Sequence, residues 1–391
     1  MLFIIILIGI LLFNSCQSSS NQPHTTYDIG LAESKKIILP VDENTYYLSR
    51  AIFQFEEEGK EYLHFQNTDK LQYEILIYDI ENQKLAKRIP LEKQGPNAIP
   101  AIVGSKPFDN SRSFIFFQNN VGRVTLYNVA DKLMHKYKIT RSDGSFMPFI
   151  ITSYYYSPAF VKDSVLYMRY SIEKPNMTDN YWATTPIFCS VNLQTEEIDF
   201  LPIYYPKTFH QAVENLAMGA EFSYDYNYID NRLICSFSGY DSIMVSDDLC
   251  NVRWYNGKSR YERKIRVNLS EAIGGISELM QDMSKAAYHH IMYDKYRDVY
   301  YRFVEHTCEY GDGEYLMDEP KAREFSVIIF DKDLNIIGET KFPGNKYLYK
   351  MSFVGRDGLY ISENNEANPE FDEDKLVFAC FKLENLNKKE Q

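Results

Sequence analysis

Tryptophan, glycine and positive charge are the scarce materials in this chain of 391 residues. It has 2 Trp and 18 Gly, and 42 Lys and Arg stand against 54 Asp and Glu, a formal net charge of −12. So little glycine excludes a collagen-like repeat. The acidic balance lacks the basic footprint that a phosphate backbone requires, so no nucleic-acid partner is expected. No apolar run reaches the roughly 20 residues of a bilayer-spanning helix, which excludes a polytopic helical membrane protein. There is no Gly-x-Ser-x-Gly elbow, His-Glu-x-x-His helix or phosphate-cradling glycine loop, so no enzyme class is named and no cofactor or metal is expected. What the chain does have is 32 Tyr and 25 Phe. Aromatic side chains suit half-buried pleated surfaces, which points to a β-rich fold. With 45% hydrophobic and 25% charged residues, the chain can bury a sizeable core and is not disordered.

Met1 to Phe13 form one uncharged apolar run, too short to span a bilayer comfortably and suited to the apolar region of a signal peptide. Asn14, Ser15 and Cys16 follow, then the polar stretch Gln17 to Pro23. A small residue and then Cys at the end of such a run resembles the lipobox of bacterial lipoproteins. The resemblance implies a signal peptide over 1–15, cleavage before Cys16 and diacylation of its thiol, with 16–34 as a flexible tether. It implies a cell-envelope address: anchored by lipid to a bacterial membrane, the outer one by preference, with the folded part in the periplasm or at the surface. Five cysteines remain: Cys189, Cys235, Cys250, Cys308 and Cys380. An odd number without C-x-x-C spacing argues against a disulfide framework and a zinc ribbon. Cys189, Cys235 and Cys380 sit in apolar runs as packed thiols; a Cys250–Cys308 pair is left open.

Short β-type runs recur along the chain as a common unit: two strands, a polar turn and a further strand. The first copy runs Tyr62–Gln66, Ile75–Asp79, the turn Glu81–Gln83 and Leu85–Leu91. The fifth runs Val299–Val304, Phe325–Phe330, the turn Asp331–Asn335 and Ile336–Phe342. A further strand precedes each, across short turns such as Asp109-Asn-Ser, Asp230-Asn231 and Gly355–Gly358, whose residues tolerate hairpin backbone angles. A period of about 50–65 residues predicts a propeller with one four-stranded sheet per unit, and six units fit. The sixth, Leu359–Ser362 and Leu376–Phe381, lacks its outermost strand, and Lys35–Val41 near the N-terminus has the look of one. The expectation is an all-β, six-bladed propeller of four-stranded antiparallel blades over 35–391, monomeric, closed by that N-terminal strand.

The lipobox, the six-unit pattern, the Lys93–Asn97 linker and the segment Gly257-Lys-Ser-Arg-Tyr261 resemble uncharacterised six-bladed β-propeller lipoproteins of Bacteroidetes-type bacteria. The resemblance covers most of the chain after Cys16. It implies a fold and a compartment and names no substrate.

In a four-stranded unit, connections before the first strand and after the second emerge on one face. The long segments all fall there: 204–220, 256–288, 171–185, 306–323 and 363–374. Long loops gathered on one face of a rigid scaffold mark it as the working face. Ser270–Met283 and Thr208–Met218 have helical spacing and predict short helical insertions there. Candidate binding residues at the loops or channel are Tyr154, Tyr181, Trp182, Tyr224, Arg260, His289 and His290. The aromatic members offer stacking surfaces for sugars or peptides. Strand alternation separates the His289 and His290 rings, which argues against their sharing a metal. Asp331-x-Asp333-x-Asn335 has the start of a calcium loop without its Gly or closing Glu, and Glu305–Glu319 is an acidic loop. The function expected is a membrane-anchored binding propeller that takes a protein, peptide or glycan on its long-loop face. The alternative is a hydrolase or lyase with a central-channel site, with or without a metal. The acidic charge favours a cationic or neutral polar partner.

Overall fold

The computed structural model describes residues 25–388 except 69–72, 96, 119–121, 140–148, 173–180, 208–221, 264, 266–283 and 309–322. Cys16, the helical segments expected over 270–283 and 208–218, and most of the acidic loop lie outside the described residues.

The chain is all-β and propeller-like. It opens with β1 (Ile29–Pro40) and then builds four-stranded antiparallel units in sequence order. The first is β2 (Ile52–Glu57), β3 (Lys60–Asn67), β4 (Tyr73–Asp79) and β5 (Lys84–Leu91). The second is β6 (Gly104–Asp109), β7 (Ser113–Gln118), β8 (Arg123–Asn128) and β9 (Met134–Lys138). In the third, β10 (Phe149–Thr152) and β11 (Phe160–Lys162) share one neighbour, β12 (Val165–Ile172), which is followed by β13 (Phe188–Asn192) and β14 (Ile198–Phe200). The fourth is β15 (Phe222–Asn227), β16 (Arg232–Phe237), β17 (Ser242–Ser246) and β18 (Arg253–Asn256). The fifth is β19 (Ala287–Asp294), β20 (Val299–Glu305), β21 (Phe325–Asp331) and β22 (Ile336–Phe342). The sixth has β23 (Leu348–Val354), β24 (Leu359–Ser362) and β25 (Lys375–Asn385), with β1 as its outer strand. β1 pairs antiparallel with β25 from Ile29↔Asn385 to Pro40↔Lys375. The strand thus begins at Ile29, ahead of Lys35 and inside the stretch expected to be tether. Ile29 and Leu31 pack into the apolar cluster between the fifth and sixth units, which gives these residues a reason to order. The one helix among the described residues besides a C-terminal 3-10 turn is α1 (Tyr181–Thr184), between β12 and β13.

The polar turns of the repeat have one mechanism. In units one, two, three and five the carboxylate or amide oxygen at the end of the third strand accepts backbone N–H groups of its own turn, and in unit four Asp248, two residues beyond the strand, does so. Asp79 takes Asn82, Asn128 takes Ala130 and Asp131, and Asn192 takes Gln194 and Thr195. Asp331 takes Asp333 and Asn335, so the apparent calcium-loop start is a self-bonded turn. Gln83, Lys132, Glu196 and Leu334 in these turns adopt positive φ.

Between units the strands alternate so that apolar side chains face the neighbouring sheet. Each of six apolar clusters joins two successive units, including the sixth and the first through Leu39, Ile52, Phe65 and Phe378. Phenylalanine and tyrosine fill these seams: Phe160 stacks on Tyr226 across the third–fourth seam, 4.1 Å between centroids. Such a pair adds about 0.5–1.5 kcal/mol beyond its buried area. On the short-turn face, Arg356, Lys295 and the Tyr296 hydroxyl all reach Glu56, tying the first hairpins of units one, five and six. These hydrogen bonds, from Arg356 first, hold the Glu56 carboxyl down to about 2.

Leu39 is fully buried while its neighbour Ile38 is 47% exposed. Leu39→Ala should therefore lower stability by about 2–5 kcal/mol, and Ile38→Ala by less than about 0.5 kcal/mol. Urea unfolding of the two variants checks the register of β1.

Candidate functional site

The innermost strands begin at the face that carries the long connections, and a cavity of about 590 Å³ opens there. Every unit contributes to its wall: Arg50, Val103, Tyr156, Ser223, His289 and Lys350 come from units one to six in turn. A 150 Å³ side recess shares Leu48, Leu348 and Lys350 with it.

The inner wall of the third unit is broken. Between β10 and β11, residues 153–159 leave the sheet. The Tyr155 N–H donates to the Arg50 carbonyl at 2.9 Å, and the Tyr156 carbonyl accepts the Tyr224 N–H at 3.0 Å. Tyr155 is 6% exposed and packs into the cluster between the sixth and first units. Its ring also meets His290 edge-on at 5.1 Å. A single excursion from unit three therefore bonds to units one and four and packs against five and six. The backbone of unit two admits it closely: a Cβ on Gly104 would stand 2.6 Å from the Ser153 carbonyl oxygen.

β19 carries a register shift between Tyr288 and Ile291. This bulge corrects the expectation that alternation separates the two histidines. An extra residue re-aims a side chain, and here the two Nδ1 atoms lie 2.9 Å apart, so one ring donates to the other. His290 is fully buried, stacks on Phe303 at 3.8 Å, and its Nε2 meets Ser352 Oγ at 2.8 Å. Burial above all, then His289 and Lys350, pushes His290 well below its ordinary value, so it stays neutral. His289 lines the cavity with its neighbour behind it.

Buried Glu305 makes an ion pair with Arg323 at 3.4 Å and accepts the Tyr349 hydroxyl. Burial pushes its carboxyl up, but Arg323, Lys350, His289 and that hydroxyl together hold it below 4.5. Beside the cavity, Arg302 is fully buried with no carboxylate. Its guanidinium donates to the carbonyls of Tyr240, Asp241 and Gly257 and to Ser236 Oγ, at 2.7–2.8 Å, and lies 3.5 Å over the Tyr288 ring. Burial lowers it to about 10, still cationic. The Gly257–Tyr261 segment is then fixed to β22, since Glu339 accepts Ser259 Oγ and the Arg260 N–H.

The residues proposed from sequence divide accordingly. His289 lines the cavity and His290 is buried behind it; Tyr154 does not line it but stands next to residues that do, its ring 5.3 Å from that of Tyr156 and under Arg50 at 5.9 Å. Tyr224 does not line it either: it is fully buried in the third–fourth seam, its hydroxyl accepting the Arg169 N–H. Arg260 is taken up by Glu339, Tyr27 and Tyr261, away from the cavity wall. Tyr181 and Trp182 belong to α1, in the connection before β13; their side chains lie outside the described residues. Arg50, Gln66 and Lys350 escaped the sequence reading. The available signal was a basic residue just ahead of, or early in, an innermost strand. Among the described residues no group of three His, Cys, Asp or Glu is placed to hold a metal, so the metal-dependent alternative finds no ligand set there. Cys250 and Cys308 form no disulfide.

The sequence profile of a domain of unknown function, DUF4221, matches residues 28–341. A DUF4221 family member from Bacteroides vulgatus is 49% identical, covers 92% of this chain and 100% of its own, and superposes with a TM-score of 0.87. A Bacteroides fragilis protein named only provisionally as exported superposes with a TM-score of 0.53 at 10% identity, covering 93% and 98%. The calcium-binding protein regucalcin from Agrobacterium tumefaciens gives 0.43 at 12% identity, covering 91% and 95%. No curated protein sequence matches the chain.

Removing Arg302 strands several buried carbonyls, and each hydrogen bond to a charged group is worth about 1.5–3 kcal/mol. Arg302→Met should lower stability by at least about 3 kcal/mol, and Arg302→Lys, lacking the planar fork, should rescue little of it. Chemical denaturation reads both. The depressed Glu305 carboxyl gives stability that is complete above the unfolded value near 4.5 and is lost as pH falls through the lower folded value. Glu305→Gln should remove that acid-limb component from a melting-temperature profile against pH.

Proposed function

Since the chain belongs to the DUF4221 family, a domain of unknown function, its role has to be argued from its own geometry, and we propose that it is an exported, lipid-anchored binding protein. In this reading the six units are the blades of a closed propeller. Supporting closure, β1 completes the sixth sheet, and apolar clusters join successive units, including the sixth to the first. First strands also contact one another: β2 with β6, β15 with β19, β19 with β23 and β23 with β2. Residues 1–15 are the signal peptide, Cys16 takes the lipid, and the tether ends before Thr26, whose N–H donates to the Ile336 carbonyl. The lipobox-like Asn14-Ser15-Cys16 supports the address, and the provisional name of the Bacteroides fragilis neighbour agrees with export.

The observation that carries the binding role is the cavity itself. It lies on the face of the long connections, takes one wall element from every unit, and at about 590 Å³ falls in the roughly 300–1,000 Å³ range of small-molecule sites. On the opposite face, the Glu56 cluster ties three hairpins together. The function is capture of a glycan or peptide group in this cavity by a protein tethered to the envelope. Thr68, exposed at the cavity wall, gives a test that spares the core. On a glycan and peptide array, the full chain in detergent should bind a defined set of probes. Thr68→Trp should lose them with an unchanged melting temperature; full binding by that variant overturns the site. For the address, Cys16→Ala should abolish incorporation of labelled palmitate and release the protein from membranes.

A further inference from the structure

Resting on the binding role proposed above, we propose a ligand class for the cavity: a carboxylate-bearing sugar of monosaccharide size. The charge of the wall comes first. Arg50 and Lys350 line the cavity, and among the described residues its wall contains no Asp or Glu. This is the reverse of the chain's net −12, and it favours an anionic ligand where net charge alone favoured a cationic or neutral one. Two carboxylates stand beside that wall: Glu305, which pairs with Arg323 and also attracts Lys350, and Glu366, which lines the side recess and accepts the Tyr47 hydroxyl at 2.5 Å. A guanidinium fork and an ammonium at one mouth suit a carboxylate.

The uncharged wall comes second. Gln66 lines the cavity, is only 6% exposed, and its carboxamide oxygen has no hydrogen-bond partner among the described residues. A buried polar atom left unpaired costs about 1–3 kcal/mol, so it asks for a donor from the ligand. Ser223, Ser236 and Ser238 also line it, Ser223 Oγ donating to the His289 carbonyl with its acceptor side left over and Ser236 Oγ accepting from Arg302, and Tyr155 and Tyr156 add rings. A polyhydroxylated ring supplies donors, acceptors and an apolar face for such a wall. A peptide terminus would offer the carboxylate with few hydroxyls. In the structure's assignment, Arg50 and Lys350 bind the carboxylate while Gln66 and the serines bind ring hydroxyls.

The test is calorimetric titration of the full chain in detergent with four probes: D-glucuronate, D-glucose, glucose 6-phosphate and tri-alanine. D-Glucuronate should bind at least tenfold more tightly than D-glucose, and more weakly as salt rises. Arg50→Gln and Lys350→Gln should each weaken glucuronate about tenfold and glucose by much less, so that the preference for glucuronate narrows. Equal affinity for glucose and glucuronate, or no effect of either substitution, overturns the carboxylate assignment. If Thr68→Trp still blocks binding in that case, the cavity remains the site and only the ligand class fails. Preference for glucose 6-phosphate or tri-alanine overturns the carboxylated sugar in favour of a phosphate or a peptide terminus, and binding of none of the four overturns it outright.

Discussion

The architecture of the cavity face depends on one break in regular pairing, where residues 153–159 leave the innermost strand of the third unit. A strand edge that quits its sheet must find other partners for its backbone. Here they come from other units: the Arg50 carbonyl takes the Tyr155 N–H, and the Tyr156 carbonyl takes the Tyr224 N–H. Because the Tyr155 ring packs into the seam between units six and one, the excursion links the third unit to the first, fourth and sixth. It sets the cavity's extent as well, since Tyr155 and Tyr156 line it. The same residues are therefore a brace and a cavity wall, and a change that loosens one alters the other.

Arg302 does comparable work for the fourth and fifth units with the opposite chemistry. Burying a guanidinium without a carboxylate is costly unless its donors are met. The carbonyls of Tyr240, Asp241 and Gly257 and the Ser236 hydroxyl meet them, with the Tyr288 ring face below. That demand fixes the loop after β16 and the chain leaving β18, both on the cavity side. It also accounts for glycine at 257, where a Cβ would lie 2.6 Å from Arg302 Nη1. A segment that looked like a family signature in the sequence is thus a joint between two units.

Much of the fold was legible because it rests on local patterns. Alternating aromatic and β-branched runs specify strands, and Asp or Asn at the end of most third strands specifies its turn. The repeat exposes both, and with them the face that carries the long connections, since loop length is read directly from spacing. The site was less legible. His289 and His290 were read through strict alternation, and a bulge is invisible to that rule. Tyr224 was read as a binding residue of the loops or channel, yet its place on β15 turns it into the third–fourth seam. Arg50 and Lys350 lie far apart in sequence and face one cavity only because innermost strands converge at one rim, and Gln66 joins them from the second strand of unit one. Convergence of that kind leaves no motif.

Charge shows the same division between what composition states and what folding arranges. An excess of acidic residues over the whole chain describes a solvated surface and its solubility. It says nothing about the wall of one cavity, where basic groups stand forward and the neighbouring carboxylates are engaged by Arg323 and Tyr47. Those engagements matter for the cavity's field. Glu305 is shared: its ion pair with the buried Arg323 takes up part of its charge, Lys350 and His289 feel it as well, and low-dielectric surroundings strengthen all three attractions. Arg50 and Lys350 still face the cavity inside an acidic protein, and the field at its mouth is set by these local groups, not by the net charge.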